Sequence, residues 1–147
     1  MKWLPLVLAA LGLAATSDSR ASAGCLFTPT FECSAGKGCA ARAKPVAESL
    51  WLVDEEVPKP LLKLCFPGDG SPCLDGLATV RRSNEYDVLA SAILQNPREL
   101  GGLPKKIFVT LMFSWESAAQ SRATLYPVTG DKQAPMYLSG GVCDGAG

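Results

Sequence analysis

Six cysteines and no histidine frame the chemistry open to this chain. Without an imidazole, the usual Ser-His and Cys-His nucleophile pairs are excluded. A serine could still be activated by a lysine, and Ser91 or Ser114 with Lys105 are the candidates, although no motif selects them. Asp54, Glu55, Glu56, Glu85 and Glu116 are the carboxylates that could share the acid and nucleophile roles of glycoside hydrolysis. Adjacent acids at a strand end more often form a solvated turn. Asp69-Gly70-Ser71-Pro72-Cys73-Leu74-Asp75-Gly76 has the outline of an acidic calcium loop, but Cys73 stands where an oxygen ligand is needed and no glutamate closes it. Trp51, Trp115, Tyr126 and Tyr137 could form a binding patch; the plainer expectation is core and cross-strand packing. No Cys-x-x-Cys, zinc spacing or Gly-rich phosphate loop occurs. The expectation is a non-enzymatic protein with no catalytic set, no cofactor and no metal.

The cysteines have another use. Cys25, Cys33, Cys39, Cys65, Cys73 and Cys143 are an even number in a small chain, which reads as three disulfides in an oxidising compartment. Six cysteines allow fifteen pairings, and spacing only ranks them. Cys65 and Cys73 flank the turn-rich Phe66-Pro67-Gly68-Asp69-Gly70-Ser71-Pro72, and Cys33 and Cys39 flank Ser34-Ala35-Gly36-Lys37-Gly38. Those two pairs rank first, leaving Cys25 with Cys143. By loop-closure entropy a short bridge contributes ~2.5 kcal/mol and the end-to-end bridge ~5 kcal/mol.

The amino end supports that compartment. Met1-Lys2 is positive, Leu4 to Ala15 is apolar and uncharged, and Ala21-Ser22-Ala23 supplies small residues at a cleavage site. This is the order of a secretory signal peptide, and the apolar run is too short to span a bilayer. The expected division is a leader over 1–23 and one domain over 24–147, with a cut after Ala15 as the alternative. Lipidation of Cys25 is a rival fate, because Ser22-Ala23-Gly24 precedes it; it would leave an odd number of cysteines. Residues 24–147 hold twelve basic and thirteen acidic side chains. That balance offers no footprint for nucleic acid, and no second apolar segment predicts a transmembrane span after processing.

The elements that must position these residues read as strands. Leu50–Val53, Leu61–Phe66, Leu77–Arg82, Ile107–Trp115, Ala123–Val128 and Met136–Cys143 are short apolar or alternating runs separated by Gly, Pro, Asn and Asp. Residues 24–44 read as a disulfide-pinned loop or short strand. Tyr86–Leu94 alternates as a strand but also fits a helix ended by Asn96-Pro97, so a single helix over 85–95 stays possible; its neighbours favour a strand. Gly140-Gly141 reads as a bulge or a close backbone approach. The pattern predicts an all-β fold, a small antiparallel β-barrel or sandwich stapled by disulfides.

Cys25-Leu26-Phe27-Thr28, Phe31-Glu32-Cys33 and the closing Tyr137-Leu138-Ser139-Gly140-Gly141-Val142-Cys143 together carry a resemblance. The two ends resemble small uncharacterised exported proteins of alphaproteobacteria, in which a cysteine-rich start leads into β-strands and a final Gly-x-Cys strand. Cys65 and Cys73 look like additions to that pattern. The resemblance implies a β fold with linked ends and carries no activity with it. The expected function is therefore an exported binding or envelope-support protein, periplasmic or secreted, with an unknown protein or small ligand as partner. The alternatives are an inhibitor of a lysozyme or protease, with the Pro67–Pro72 loop entering a cleft, and a small hydrolase using Ser-Lys or paired carboxylates.

Overall fold

The computed structural model describes residues 22–53, 58–117, 120–139 and 142–146. Among these residues twelve strands form two sheets: β1 (Ser22–Leu26), β2 (Thr30–Ser34), β3 (Gly38–Arg42), β4 (Ser49–Val53), β5 (Leu61–Cys65), β6 (Cys73–Leu77), β7 (Thr79–Arg82), β8 (Asp87–Gln95), β9 (Lys106–Ser114), β10 (Arg122–Pro127), β11 (Met136–Ser139) and β12 (Val142–Ala146). One sheet has the order β12-β1-β4-β5-β6 and the other β3-β2-β11-β10-β9-β8-β7. Every neighbouring pair is antiparallel. The sheets face each other, with β6 and β5 against β8, and β4 and β1 against β9. Among the described residues no ladder joins the two sheets, so the barrel alternative gives way to a sandwich.

Period-two alternation builds the core. In β8, Val88, Ala90, Ala92 and Leu94 are buried while Leu89, Ile93 and Gln95 are exposed. In β9, Ile107, Val109, Leu111 and Phe113 are buried. Against them lie Leu50, Leu52, Leu62 and Leu64 of the smaller sheet, all fully buried. Each such side chain contributes roughly 1.5–3 kcal/mol. The helix alternative over 85–95 is overturned here: β8 is paired on both sides, by β7 and β9, and only a strand puts its buried residues on one face.

Three segments refine the sequence reading. The region 24–44, read as a disulfide-pinned loop or short strand, is strand for much of its length, with most of β1 and all of β2 and β3, and β1 is paired between β12 and β4 inside the smaller sheet. The run Leu77–Arg82 divides at Ala78, where the chain leaves β6 and enters the other sheet as β7. Gly76 permits this corner: a Cβ there would lie 2.8 Å from Leu94 Cδ2 and 3.2 Å from the Ile93 carbonyl oxygen. The run Met136–Cys143 likewise divides into β11 and β12, which belong to different sheets. Gly140-Gly141 lies outside the described residues.

Each disulfide joins residues directly opposed across neighbouring strands: Cys25–Cys143 across β1 and β12, Cys33–Cys39 across β2 and β3, Cys65–Cys73 across β5 and β6. The Cα pairs are 3.9, 4.0 and 4.1 Å apart, the close spacing of non-hydrogen-bonded rungs. Cys25 and Cys143 are buried in the core, whereas the other two bridges lie on the outward sides of the sheets. Three structural disulfides place the chain in an oxidising environment outside the cytosol. The expected leader lies outside the described residues except for Ser22 and Ala23, which belong to β1, where Ala23 is fully buried. No helix among the described residues is long and apolar enough to cross a membrane.

Candidate functional site

A cleft of about 610 Å³ opens at one end of the larger sheet. That is an ordinary size for a small-ligand site. One wall is the connection from β8 to β9, with Glu99, Leu103, Pro104 and Lys105; the other is the turn after β10, with Pro127, Val128 and Pro135, and Tyr137 of β11 closes one side.

The first wall is fixed by one buried side chain. Asn96, fully buried, follows β8 directly. Its Oδ1 accepts from the Leu100 amide at 2.9 Å, and its Nδ2 donates to the carbonyls of Leu100, Leu103 and Pro104 at 3.2, 3.1 and 3.3 Å. Its backbone amide donates to the Lys105 carbonyl at 2.8 Å. A buried amide satisfied this fully defines a single loop conformation. Within that loop Leu100–Gly102 makes a 3-10 turn, and Glu99 and Gly101 take positive φ of 50° and 67°. Gly101 also lies against the body of the protein, where a Cβ would be 2.6 Å from the Val46 carbonyl oxygen. A left-handed non-glycine residue such as Glu99 persists only where its surroundings hold it.

The second wall is equally set. Thr129 Oγ1 accepts from the Asp131 amide at 3.1 Å and donates to its carbonyl, and Asp131 Oδ1 accepts from the Gln133 amide at 2.8 Å. Pro104, Pro127 and Pro135 add rigid apolar surface. Lys105 and Lys106 are exposed lining residues, and among the described residues Glu99 is the acid that lines the cleft. Burial first, and then the nearby Glu32 carboxylate, raise the Tyr137 phenol above its ordinary value of 10.0, with Arg42 opposing. The Arg42 guanidinium lies 5.4 Å from the centre of the Tyr137 ring and also pairs with Glu32, a geometry for cation–π attraction. Tyr137 is therefore a neutral hydrogen-bond donor at neutral pH. Two ammonium groups, a phenol and proline walls suit a small carboxylate with an apolar body.

The candidates read from the sequence are scattered. Ser114 and Lys105 lie at opposite ends of β9, about 30 Å apart at the rise of a strand. Ser91 sits opposite Thr110 at the middle of β8, on the outward face. Asp54, Glu55 and Glu56 lie outside the described residues. Glu85 and Glu116 come to one end of the larger sheet, because the Trp115 amide donates to the Tyr86 carbonyl at 2.9 Å, and both are exposed. Asp75 faces Lys63 across β5 and β6, while Asp69 sits at the exposed tip of the Cys65–Cys73 loop. The four aromatic candidates do not form one patch. Trp51 covers Gly24 on the outside of the smaller sheet, Trp115 meets Phe113 edge-on at 4.7 Å, Tyr126 lies on the outward face of the larger sheet beside Phe108 at 5.9 Å, and Tyr137 points inward. The sequence reading missed the cleft. Asn96-Pro97, Gly101-Gly102 and Lys105-Lys106 were its signals, and they gain meaning only beside the 127–135 turn. No family model, curated protein or solved structure matches the chain.

Proposed function

We propose that the protein is an exported binding protein that holds a small organic acid, rather than an enzyme. The observation that carries this is the cleft itself: Asn96 fixes one wall, three prolines stiffen it, and Lys105, Lys106 and the Tyr137 hydroxyl supply donors for a carboxylate. The periplasm is the compartment proposed, from the signal-like amino end and the three disulfides. Isothermal titration with benzoate and hexanoate tests the reading. Binding is expected, with loss in a Lys105→Glu, Lys106→Glu double variant of unchanged melting temperature. Absence of binding by both acids, or binding untouched by the double variant, would remove it.

A second reading rests on a separate observation. The loop Pro67–Ser71 is wholly exposed, and the Cys65–Cys73 bridge pins its base. The Phe66 amide donates to the Pro72 carbonyl at 2.9 Å and the Ser71 amide to the Gly68 carbonyl at 3.0 Å. A loop this constrained forfeits little entropy on entering a partner's cleft, as an inhibitor of a lysozyme or protease would require. Stoichiometric recovery of a hydrolase on the immobilised protein, abolished by Asp69→Lys, would favour it.

A further inference from the structure

A trough crosses the outward face of the larger sheet, apart from the cleft. Register places Thr79, Ser91, Thr110 and Thr124 in one row across β7, β8, β9 and β10. On one side of that row stand Arg81, Leu89, Met112 and Arg122; on the other stand Ile93, Phe108 and Tyr126. Small hydroxyl side chains thus make a floor between two ridges of large ones, about 14 Å long at the spacing of four strands. A hollow of about 420 Å³ lies over its β7–β9 end, bounded by Thr79, Arg81, Leu89, Ser91, Phe108 and Thr110. The Thr110 and Thr124 hydroxyls bond each other, which fixes that part of the floor.

The ridges are exposed for apolar groups: Leu89 by 43%, Ile93 by 57%, Met112 by 47% and Tyr126 by 39%. Such a concentration on one face marks an interaction surface. Its charge is one-sided. Arg81, Lys106 and Arg122 are the outward cations of β7 to β10, and Asp87, at the start of β8, is the outward acid, already engaged by Asn84 Nδ2 at 2.8 Å. A second copy laid face to face would oppose these cations. A bilayer would bury the hydroxyl floor without water. What fits is a chain with C–H faces, hydroxyl edges and negative charge. We propose that the trough binds a linear acidic oligosaccharide of the uronate type. Ring C–H faces lie against Leu89 and Phe108, sugar hydroxyls bond Thr79 and Ser91, and the carboxylate pairs with the Arg81 fork.

The probe is an oligogalacturonate, titrated calorimetrically beside a neutral cello-oligosaccharide and polyglutamate. Oligogalacturonate is expected to bind and both controls to fail. Arg81→Gln should weaken binding about tenfold or more, the scale of a lost charge-assisted hydrogen bond, and Ser91→Leu, which fills the floor, should abolish it. Thr79→Leu, at an exposed position on edge strand β7, repeats the floor test if Ser91→Leu fails to fold. Lys105→Glu, in the cleft, should leave this binding unchanged, so the two sites fail separately. Equal binding of polyglutamate, absence of oligogalacturonate binding, or binding indifferent to Arg81 and to the floor would overturn the proposal.

Discussion

The indole of Trp51 occupies the space a side chain on Gly24 would need. The two residues are directly opposed across β1 and β4, and a Cβ on Gly24 would lie 2.2 Å from Trp51 Cε3 and 2.3 Å from Cδ2. The glycine is therefore a packing requirement, and the ring shields the backbone it covers. Gly24→Ala should drive the indole off β1 at a cost of about 1–3 kcal/mol. Urea denaturation measures the cost, and a red-shifted tryptophan emission reports the displaced ring. Unaltered emission with unaltered stability would refute it.

The three bridges should differ in both value and accessibility. Cys25–Cys143 closes 118 residues, Cys33–Cys39 closes 6 and Cys65–Cys73 closes 8. Loop-closure entropy gives about 5, 2 and 2.5 kcal/mol. The largest of these is also the one with both cysteines buried; Cys33 is buried but its partner Cys39 is exposed, and Cys65 and Cys73 are half-buried. Stepwise reduction with alkylation should label the two short bridges first and Cys25 and Cys143 last, together with unfolding. Early labelling of Cys143 would contradict this order.

Chain starts make a direct test of β1. A domain beginning at Gly24, the cut expected from the sequence, lacks the Ser22–Ala146 and Ala23–Gly145 rungs and the fully buried Ala23 methyl. Losing about 0.8 kcal/mol for the methyl and about 1 kcal/mol per hydrogen bond, it should melt several degrees below a domain beginning at Ala21. Equal melting temperatures would show that this end of β1 contributes nothing.

Much of the sandwich was legible because burial on one face imposes a period of two, and β8 and β9 carry it over nine residues each. Sheet context, absent from any local window, was needed to choose strand over helix for β8. Strands β1 to β3 were less visible: β3 is exposed throughout, and β1 is Ser-Ala-Gly-Cys-Leu, whose small residues are set by the Trp51 ring and the bridge to Cys143. The breaks at Ala78 and after Ser139 escaped because a chain can change sheets without a break in its apolar pattern. The cleft was illegible for another reason. Its walls are segments about thirty residues apart, and the side chain that fixes it, Asn96, reads in sequence only as a helix stop.

Asn96 should prove costly to replace. Asn96→Ala leaves the Leu100 amide and the carbonyls of Leu100, Leu103 and Pro104 without this partner, for a loss of about 3 kcal/mol. Asn96→Asp keeps the shape but turns the donor into an acceptor facing three carbonyls, and should be no better. In both variants cleft binding should fall further than stability does at temperatures well below melting. Hydrogen exchange at Leu100 and Leu103 reads the loosened loop; wild-type protection there would count against the Asn96 role.

Tyr137 should make the protein sensitive to alkali. Its phenol is raised above 10.0 in the folded chain, by burial first and by Glu32 second. In the unfolded chain it ionises near its ordinary value, so between the two values the folded state holds more protons. Stability then falls as pH rises through that interval, and is unaffected by this group below it. Tyr137→Phe removes the proton and should flatten the alkaline limb of a plot of unfolding free energy against pH, while leaving the neutral limb almost unchanged. Arg42→Gln should act oppositely. Without the guanidinium that favours the phenolate, the phenol rises further and the alkaline loss steepens. If the wild-type and Tyr137→Phe curves ran parallel above pH 10, the phenol would not be the group responsible.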